Sequence, residues 1–163
     1  MRKRMGWLLA FCLFCGSIYL YININTVNKD NIHIWQAENN LEQLKKALQD
    51  ANWKLRVRSV NALGTIGGKE AAVLLIAAIK DDHPNVRSTV CWWLGRLKAH
   101  KAIPPLIVML KDQNWAVRAR AAQALGTIGE KRTLTELKTL LSDENDQVRA
   151  NTAAAIGKIG GLE

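Results

Sequence analysis

The sequence is poor in the residues that build metal and catalytic sites. It has only three histidines and three cysteines among 163 residues. His33, His83 and His100 show no H-x-x-H or His–Glu spacing, which argues against a metal site. No glycine-rich loop followed by Lys-Ser or Lys-Thr is present, which argues against a phosphate-binding loop. We therefore expect no catalytic residue, no cofactor and no metal.

The cysteines do not suggest a disulfide framework. Cys12 and Cys15 have C-x-x-C spacing, but they lie in an apolar segment, and Gly16 stands where haem attachment needs a histidine. Cys91 falls on the apolar side of a predicted helix. We expect it to be a small core residue there.

Proline is scarce as well, with three in the chain, as expected for an all-helical protein. What the chain has instead is an internal repeat, the feature to look for first. The text NWKLRVRSVNALGTIG at 52–67 recurs as NWAVRARAAQALGTIG at 114–129, and looser copies cover 83–98 and 145–160. The starts 52, 83, 114 and 145 lie 31 residues apart. The residues that recur in register are Asp50, Asp81, Asp112 and Asp143; Arg56, Arg87, Arg118 and Arg149; and Gly64, Gly95, Gly126 and Gly157.

Each repeat predicts two helices. The second, helix B, has apolar residues on one face, as in Val117, Ala121, Ala122 and Leu125. Helix A precedes each recurring aspartate and is expected at 41–49, 71–80, 102–111 and 133–142. Helix pairs that bury their apolar faces only by stacking predict an all-α solenoid. Its four repeats are 37–67, 68–98, 99–129 and 130–160.

The recurring acids and bases predict a structural ladder, in which the aspartate of one repeat pairs with the arginine of a neighbour. Such a half-buried ladder fixes the register of the repeats more than it adds stability. The alternative is that the four arginines bind one ligand. Residues kept at every repeat usually serve the repeat itself, so we prefer the ladder.

The pattern resembles a HEAT repeat, and more closely the short bacterial HEAT-like repeat of phycobilisome-lyase-type proteins. The matching text is a helix A that ends in M-L-K-D at 109–112, then x-V-R, then A-L-G-x-I-G, and it covers about 37–160. The resemblance implies a right-handed solenoid whose B helices line the concave side. It leaves the function open, because such repeats serve scaffolds, lyases and nucleic-acid binders alike. Iron-binding HEAT-repeat hydroxylases carry paired His–Glu motifs, which this sequence lacks.

The first 28 residues differ from the repeats. Arg2, Lys3 and Arg4 precede an uncharged stretch, and 6–24 is apolar and long enough to cross a bilayer. We expect a signal anchor at 1–28, a polar linker at 29–36 and, by the positive-inside rule, an extracytoplasmic solenoid. The alternative is a cleaved signal peptide and a secreted or periplasmic protein. The missing A-x-A site disfavours cleavage.

The solvent positions of the B helices predict a basic concave surface with five cations and no acid. Trp92 stands where the other repeats have Asn61, Gln123 or Ala154, so it is a candidate anchor for a partner, the alternative being surface packing. The predicted concave site is Lys54, Arg58, Trp92, Arg96, Arg120 and Lys158.

Three other tryptophans receive structural interpretations. Trp93 replaces an alanine of the repeat and is expected to fill a gap between layers. Trp53 and Trp115 recur at the turn between helices A and B in every second repeat. We expect both to be structural.

The helix A sequence AAVLLIAAI at 71–79 is apolar on all sides, whereas flanking repeats carry Glu42, Lys45, Lys46, Glu136 and Lys138 at equivalent positions. An apolar patch between charged shoulders is typical of an interface. The predicted convex site is Val73, Leu74, Ile76, Ala77, Ile107 and Val108. The alanine-rich last helix has no polar cap after it, which allows end-to-end self-association.

These features predict a non-catalytic scaffold or assembly subunit that binds another protein or complex with an acidic or mixed surface. The N-terminal helix would contact the membrane. Two alternatives remain. A bilin-lyase-like protein would hold the carboxylates of a chromophore near Trp92. A nucleic-acid binder would use the concave cations, and it would require a cytoplasmic solenoid.

Overall fold

The computed structural model describes residues 29–161 of the chain. Within this range the chain forms nine α-helices: α1 (Lys29–Ala37), α2 (Leu41–Ala47), α3 (Trp53–Ile66), α4 (Gly68–Ala77), α5 (Pro84–Arg96), α6 (Ile103–Met109), α7 (Trp115–Ile128), α8 (Leu134–Lys138) and α9 (Asp146–Gly160). Short 3-10 turns at Ala78–Lys80, His100–Ala102, Lys131–Thr133 and Thr139–Ser142 extend the A helices. Helices α2 to α9 form four A/B pairs, so the prediction of an all-helical repeat fold is confirmed.

Helix α1 occupies the segment for which a polar linker was predicted, and that prediction is wrong. Trp35 is 0 % exposed and Ile32 is 2 % exposed, and the helix packs against α2 and α3. Ile32 stands 31 residues before Leu63, at the buried leucine position of helix B. Helix α1 therefore buries the apolar side of the first helix pair. Its asparagine-rich sequence gives little sign of this.

The predicted signal anchor at 1–28 lies outside the described residues. Among residues 29–161, no helix combines the length and the apolar character that a membrane crossing requires.

Each B helix begins at a capping side chain that the repeat supplies. Asn52, Asn114 and Asn145 accept a hydrogen bond from the backbone N–H two residues later, at 3.0 Å in each case. In the second repeat His83 replaces the asparagine, and its Nδ1 accepts the N–H of Asn85 at 3.2 Å. The four B helices therefore start at equivalent positions, which keeps their side chains in register.

The core follows the B helices as they stack in chain order. α5 packs on α7 and α7 packs on α9 more extensively than α3 packs on α5. Leu63, Leu94 and Leu125 are fully buried at one recurring position. Cys91 is buried in the same core, as predicted, and desolvation raises the pKa of its thiol to about 12. It therefore stays protonated and unreactive at neutral pH.

The recurring glycine makes the contact between neighbouring B helices. A Cβ placed on Gly95 would lie 2.7 Å from the Cα of Ala124, and one on Gly126 would lie 2.6 Å from the Cα of Ala155. At Gly64 the neighbour is instead the ring of Trp93, whose Cδ2 would lie 1.9 Å from an added Cβ. Trp93 therefore fills a space between layers, as predicted.

Candidate functional site

The recurring Asp and Arg residues come together at the turns between helices A and B. The Nε and Nη2 atoms of the first three recurring arginines donate to the two carboxylate oxygens of the aspartate in the next repeat. The distances are 2.7 and 2.8 Å for Arg56 and Asp81, 2.7 and 2.8 Å for Arg87 and Asp112, and 2.8 and 2.8 Å for Arg118 and Asp143. This two-point geometry is the strongest that an arginine and a carboxylate form.

The third guanidinium nitrogen, Nη1, hydrogen-bonds to the backbone of the arginine's own repeat. We call each Arg–Asp pair with these contacts a rung of the ladder. Nη1 of Arg118 donates to the backbone oxygens of Asp112 and Gln113 at 3.0 and 3.2 Å. The side chain of Arg118 is 10 % exposed, so its guanidinium is taken up inside the protein. Asp82 and Glu144 add a second carboxylate to the rungs of Arg56 and Arg118, a feature that the repeat pattern does not reveal. The contacts of Arg56 and Arg118 are thus made within the protein, as a structural ladder would require.

The ladder residues at either end make fewer ladder contacts. Arg149 is exposed, and its Nη1 donates to the backbone oxygens of Asp143 and Glu144 at 2.8 and 3.0 Å. Asp50 accepts the backbone N–H of Asn52 at 2.8 Å. The interior rungs therefore provide the cross-links between repeats.

The ion pairs change the acidity of the ladder aspartates. The hydrogen bond from Arg118 holds the pKa of Asp143 below its ordinary value, against partial desolvation, with further help from the backbone N–H of Asn145. At Asp112, burial acts to raise the pKa, but the hydrogen bonds from Arg87 and from the backbone of Asn114, with the charge of Arg87, lower it overall. These carboxylates are ionised at neutral pH.

The six residues predicted for the concave site lie on the outer surface of the B helices, and we call them the basic face. Lys54 and Arg58 belong to α3, Trp92 and Arg96 to α5, Arg120 to α7 and Lys158 to α9. The five cations are exposed and Trp92 is half-buried. The face crosses all four B helices, so it offers an extended surface and not one pocket.

An aromatic cluster occupies the middle of the basic face. The ring centroids of Trp92 and Trp93 lie 4.7 Å apart in a T-shaped arrangement. The guanidinium of Arg96 lies 5.0 Å from the Trp92 centroid and 5.8 Å from that of Trp93. The Trp93 Nε1 donates to Asn61 Oδ1 at 2.8 Å, which fixes its ring. The cluster is thus an aromatic and cationic surface of the kind that forms binding hot spots.

The predicted convex residues lie on α4 and α6, and we call them the apolar face. Val73 and Val108 are 58 % and 56 % exposed, and Ala77 is exposed as well. Leu74, Ile76 and Ile107 are half-buried and pack against the core. The exposed part of this face is therefore smaller than the sequence pattern suggests, and it centres on two valines.

A groove beside the apolar face was not predicted. It lies between α4 and the turn from α5 to α6 and encloses about 500 Å³. Its apolar floor includes Ala72, Val73, Ile76, Leu97 and Ala99. Its rim carries Lys69, Lys98, His100 and Lys101. The one signal in the sequence is Lys98, which replaces the glycine found at 67, 129 and 160.

The three histidines do not meet. His83 stacks on Trp53 with ring centroids 4.0 Å apart, and His100 Nδ1 lies 3.5 Å from Glu130 Oε2. Across the described part of the chain, no group of three or more His, Cys, Asp and Glu side chains is placed to hold a metal ion.

Comparison with known proteins adds a family and several relatives of known structure. A family model described as HEAT repeats matches residues 41–114 and 103–163. Human deoxyhypusine hydroxylase in complex with glycerol shares 29 % identity over 77 % of this chain and 45 % of its own, with a TM-score of 0.67. The complex of CpcE and CpcF of phycocyanin lyase from Nostoc sp. PCC7120 shares 27 % identity over 74 % of this chain and 53 % of that one, with a TM-score of 0.66.

A designed armadillo repeat protein in complex with the peptide (KR)4 shares 21 % identity over 84 % of this chain and 71 % of its own, with a TM-score of 0.59, which supports the fold alone. No curated protein matches the chain. The chain spans about half the length of the two more similar chains described above.

Proposed function

Because the chain belongs to the HEAT-repeat family, we propose that it is a non-catalytic scaffold or assembly subunit that binds a protein with an acidic or mixed surface along its basic face. The observation that carries the proposal is the composition of that face. Its solvent positions hold five cations and no acid, while the interior ladder arginines are neutralised by aspartates. The positive charge of this face is therefore offset neither by acids at its own solvent positions nor by the ladder.

The basic face combines long-range and short-range recognition. Clustered cations increase the association rate of an acidic partner and repel basic proteins. Once the partner is near, the cluster of Trp92, Trp93 and Arg96 offers apolar area with little conformational entropy to lose, because Trp93 is already held by Asn61. The relative from Nostoc is a complex between two proteins, which agrees with a role in protein assembly.

A second candidate function is chromophore handling, favoured by the similarity to the phycocyanin lyase. The space beside Trp92, between Arg96 and Gln123, measures about 70 Å³. Sites that enclose small organic ligands usually measure about 300 to 1,000 Å³. A tetrapyrrole beside Trp92 would therefore lie on the surface instead of inside it, which favours protein binding as the function of the basic face.

The first experiment identifies the partner. A C-terminal tag on the full chain is used to capture complexes from gently solubilised native membranes, followed by mass spectrometry and an absorption spectrum of the eluate. We expect a stoichiometric protein partner. A bound pigment without protein would favour chromophore handling, and co-purified nucleic acid would favour the third alternative.

Variants then test the surface. Arg96→Glu should weaken binding of the captured partner by at least about tenfold at low ionic strength, with a smaller difference at high salt, because salt screens surface charges. Lys111→Glu is the matched control, since this exposed lysine follows α6 and lies outside the basic face. Equal affinities for the two variants would rule out the basic face as the binding surface.

We also propose that the solenoid is extracytoplasmic and tethered by its N-terminal segment. The arrangement of Arg2, Lys3 and Arg4 before an uncharged segment supports this orientation. A topology reporter fused to the C-terminus should be active only in its extracytoplasmic form. Activity of the cytoplasmic form would contradict the proposal and restore nucleic acid as a candidate partner.

A further inference from the structure

The groove between α4 and the turn from α5 to α6 pairs an apolar floor with a cationic rim. Val73, on its floor, is 58 % exposed, whereas Leu75 of the same helix is fully buried. The volume of about 500 Å³ accommodates several side chains of a partner. An exposed apolar floor of this kind marks an interaction site when polar residues surround it.

The rim carries charge of one sign. Lys69 lies in the first turn of α4, and Lys98 and Lys101 lie in the turn from α5 to α6. Within residues 29–161, no aspartate or glutamate lines the groove. Glu130 approaches the rim only through His100, at 3.5 Å, and it also lies 3.9 Å from Arg132. The rim is therefore complementary to an acidic ligand.

Lys98 occupies a backbone conformation that suits glycine. Its φ is 46°, in the left-handed region, and Gly129 adopts a φ of 81° at the equivalent position one repeat later. A side chain in this region costs stability, and such strain is concentrated at functional positions. The substitution of lysine for glycine at 98 places a cation on the rim at that cost.

We propose that this groove binds an amphipathic segment of a partner protein, with an apolar ridge for the floor and acidic residues beside it for the lysines. A helix laid into a groove makes this pattern of contacts, because its apolar side chains recur on one face and its charged ones flank them. A concave groove favours such a ridge over a flat lipid surface. The site lies on α4, away from the basic face, so the scaffold has two separate binding surfaces.

The test uses the full-length chain and a fluorescent amphipathic helical peptide with leucines along one face and glutamates on both sides of it. Fluorescence anisotropy measures binding. Val73→Asp should weaken binding by at least about tenfold, because it places a carboxylate on the apolar floor. Val108→Asp is the matched control, since this valine is equally exposed on α6 and lies outside the groove. It should bind the peptide as the wild type does.

Two further measurements distinguish recognition by the rim lysines from nonspecific adsorption of the peptide to an apolar surface. Lys98→Gly should raise the thermal midpoint of unfolding by relieving the left-handed backbone, yet weaken peptide binding by about threefold or more through the lost charge. A peptide with lysines in place of the glutamates should not bind. Arg96→Glu should weaken binding of the glutamate peptide less than Val73→Asp does, which distinguishes the groove from the basic face.

Several results would overturn the inference. Equal peptide affinities of Val73→Asp and Val108→Asp would show that the groove is not the site. Equal binding of the glutamate and lysine peptides would remove the role of the rim. If Val73→Asp, and not Val108→Asp, reduced adsorption to phosphatidylserine vesicles while no variant affected the peptide, the groove would be a lipid site instead.

Discussion

Two of the three junctions between B helices are built alike, and the first is different. Gly95 faces the backbone of Ala124, and Gly126 faces the backbone of Ala155, each with no room for a Cβ. At the first junction the same glycine position, Gly64, faces the indole of Trp93. One recurring glycine thus serves two purposes: it lets two helices approach, or it makes space for a large side chain between them.

The difference is confined to one end of the helices. The ion pair at the start of α3, between Arg56 and Asp81, has nearly the same two distances as the pairs of Arg87 and Arg118. The indole lies near the other end of α3, at Gly64. The ladder therefore holds all three junctions alike, while Trp93 separates α3 from α5 beyond it and presents the cluster with Trp92 and Arg96 to solvent. The irregular junction and the centre of the basic face are the same place.

The largest expected loss of stability comes from removing an Arg–Asp ion pair of the ladder, the feature that all three junctions share. Arg118→Ala should lower the free energy of unfolding by about 3 kcal/mol, because it leaves the largely buried Asp143 without its partner. Arg56→Ala should cost a similar amount at the irregular junction. Urea denaturation monitored by circular dichroism measures both. Arg149→Ala is the control and should cost less than about 0.5 kcal/mol, since its side chain is exposed. Equal losses for Arg118 and Arg149 would mean that the ladder does not act through its buried pairs.

The same rung should make stability depend on pH in a defined direction. The pKa of Asp143 is lowered in the folded protein, so its contribution is complete above the unfolded value of 3.8 and is lost as the pH falls through the folded value. Arg118→Ala removes the cause of that lowering. The difference in unfolding free energy between wild type and variant should therefore be constant near neutral pH and shrink below about pH 4. A difference that stays constant down to pH 2 would contradict this assignment.

The next effect concerns the two close junctions. Gly126→Ala should destabilise the protein by about 2 kcal/mol, because the added Cβ meets the backbone of Ala155, which cannot move aside. The change is unfavourable even though alanine is the better helix former. Gly157→Ala is the matched control, at the same repeat position. Among the described residues, no atom outside its own stretch of helix lies within 4 Å of an added Cβ, so this change should be neutral or stabilising by up to about 1 kcal/mol. Similar stabilities of the two variants in urea would show that the close approach is not limiting.

The period of the sequence was enough to predict the helix pairs and the ladder, because each depends on residues that recur in every repeat. Helix α1 lacks the recurring Arg and Gly text, and it is related to the repeats by the positions of Ile32 and Trp35, which align with apolar residues of the B helices. Local composition therefore indicated a linker where tertiary packing buries Trp35. A helix that only packs over a neighbouring repeat needs the buried apolar residues of a B helix but not its recurring Arg and Gly. A search for the full repeat pattern therefore misses it.

The binding surfaces were predictable only in part, for a similar reason. The basic face follows from helical spacing within single helices, but the groove depends on α4 and the next turn lying side by side. The contacts of the two turn tryptophans also depend on the neighbouring repeat. Trp53 stacks on His83 in the next repeat, whereas Trp115 has Asn145 at the equivalent position and is 47 % exposed. Identical residues at identical positions therefore differ because their neighbours in the next layer differ.

The smallest expected loss of stability is at the irregular junction, between α3 and α5. Gly64→Ala should cost about 1 kcal/mol, less than Gly126→Ala, because its Cβ meets a half-buried side chain that can turn aside. The displaced ring should lose the hydrogen bond from Trp93 Nε1 to Asn61, which is 2.8 Å long in the wild type. The indole N–H resonance of Trp93, assigned with a Trp93→Phe variant, should therefore shift in Gly64→Ala and stay in place in Gly126→Ala. If Gly64→Ala costs as much as Gly126→Ala and the resonance does not move, then Trp93 is as rigid as a helix backbone, and the first junction is as tightly constrained as the other two.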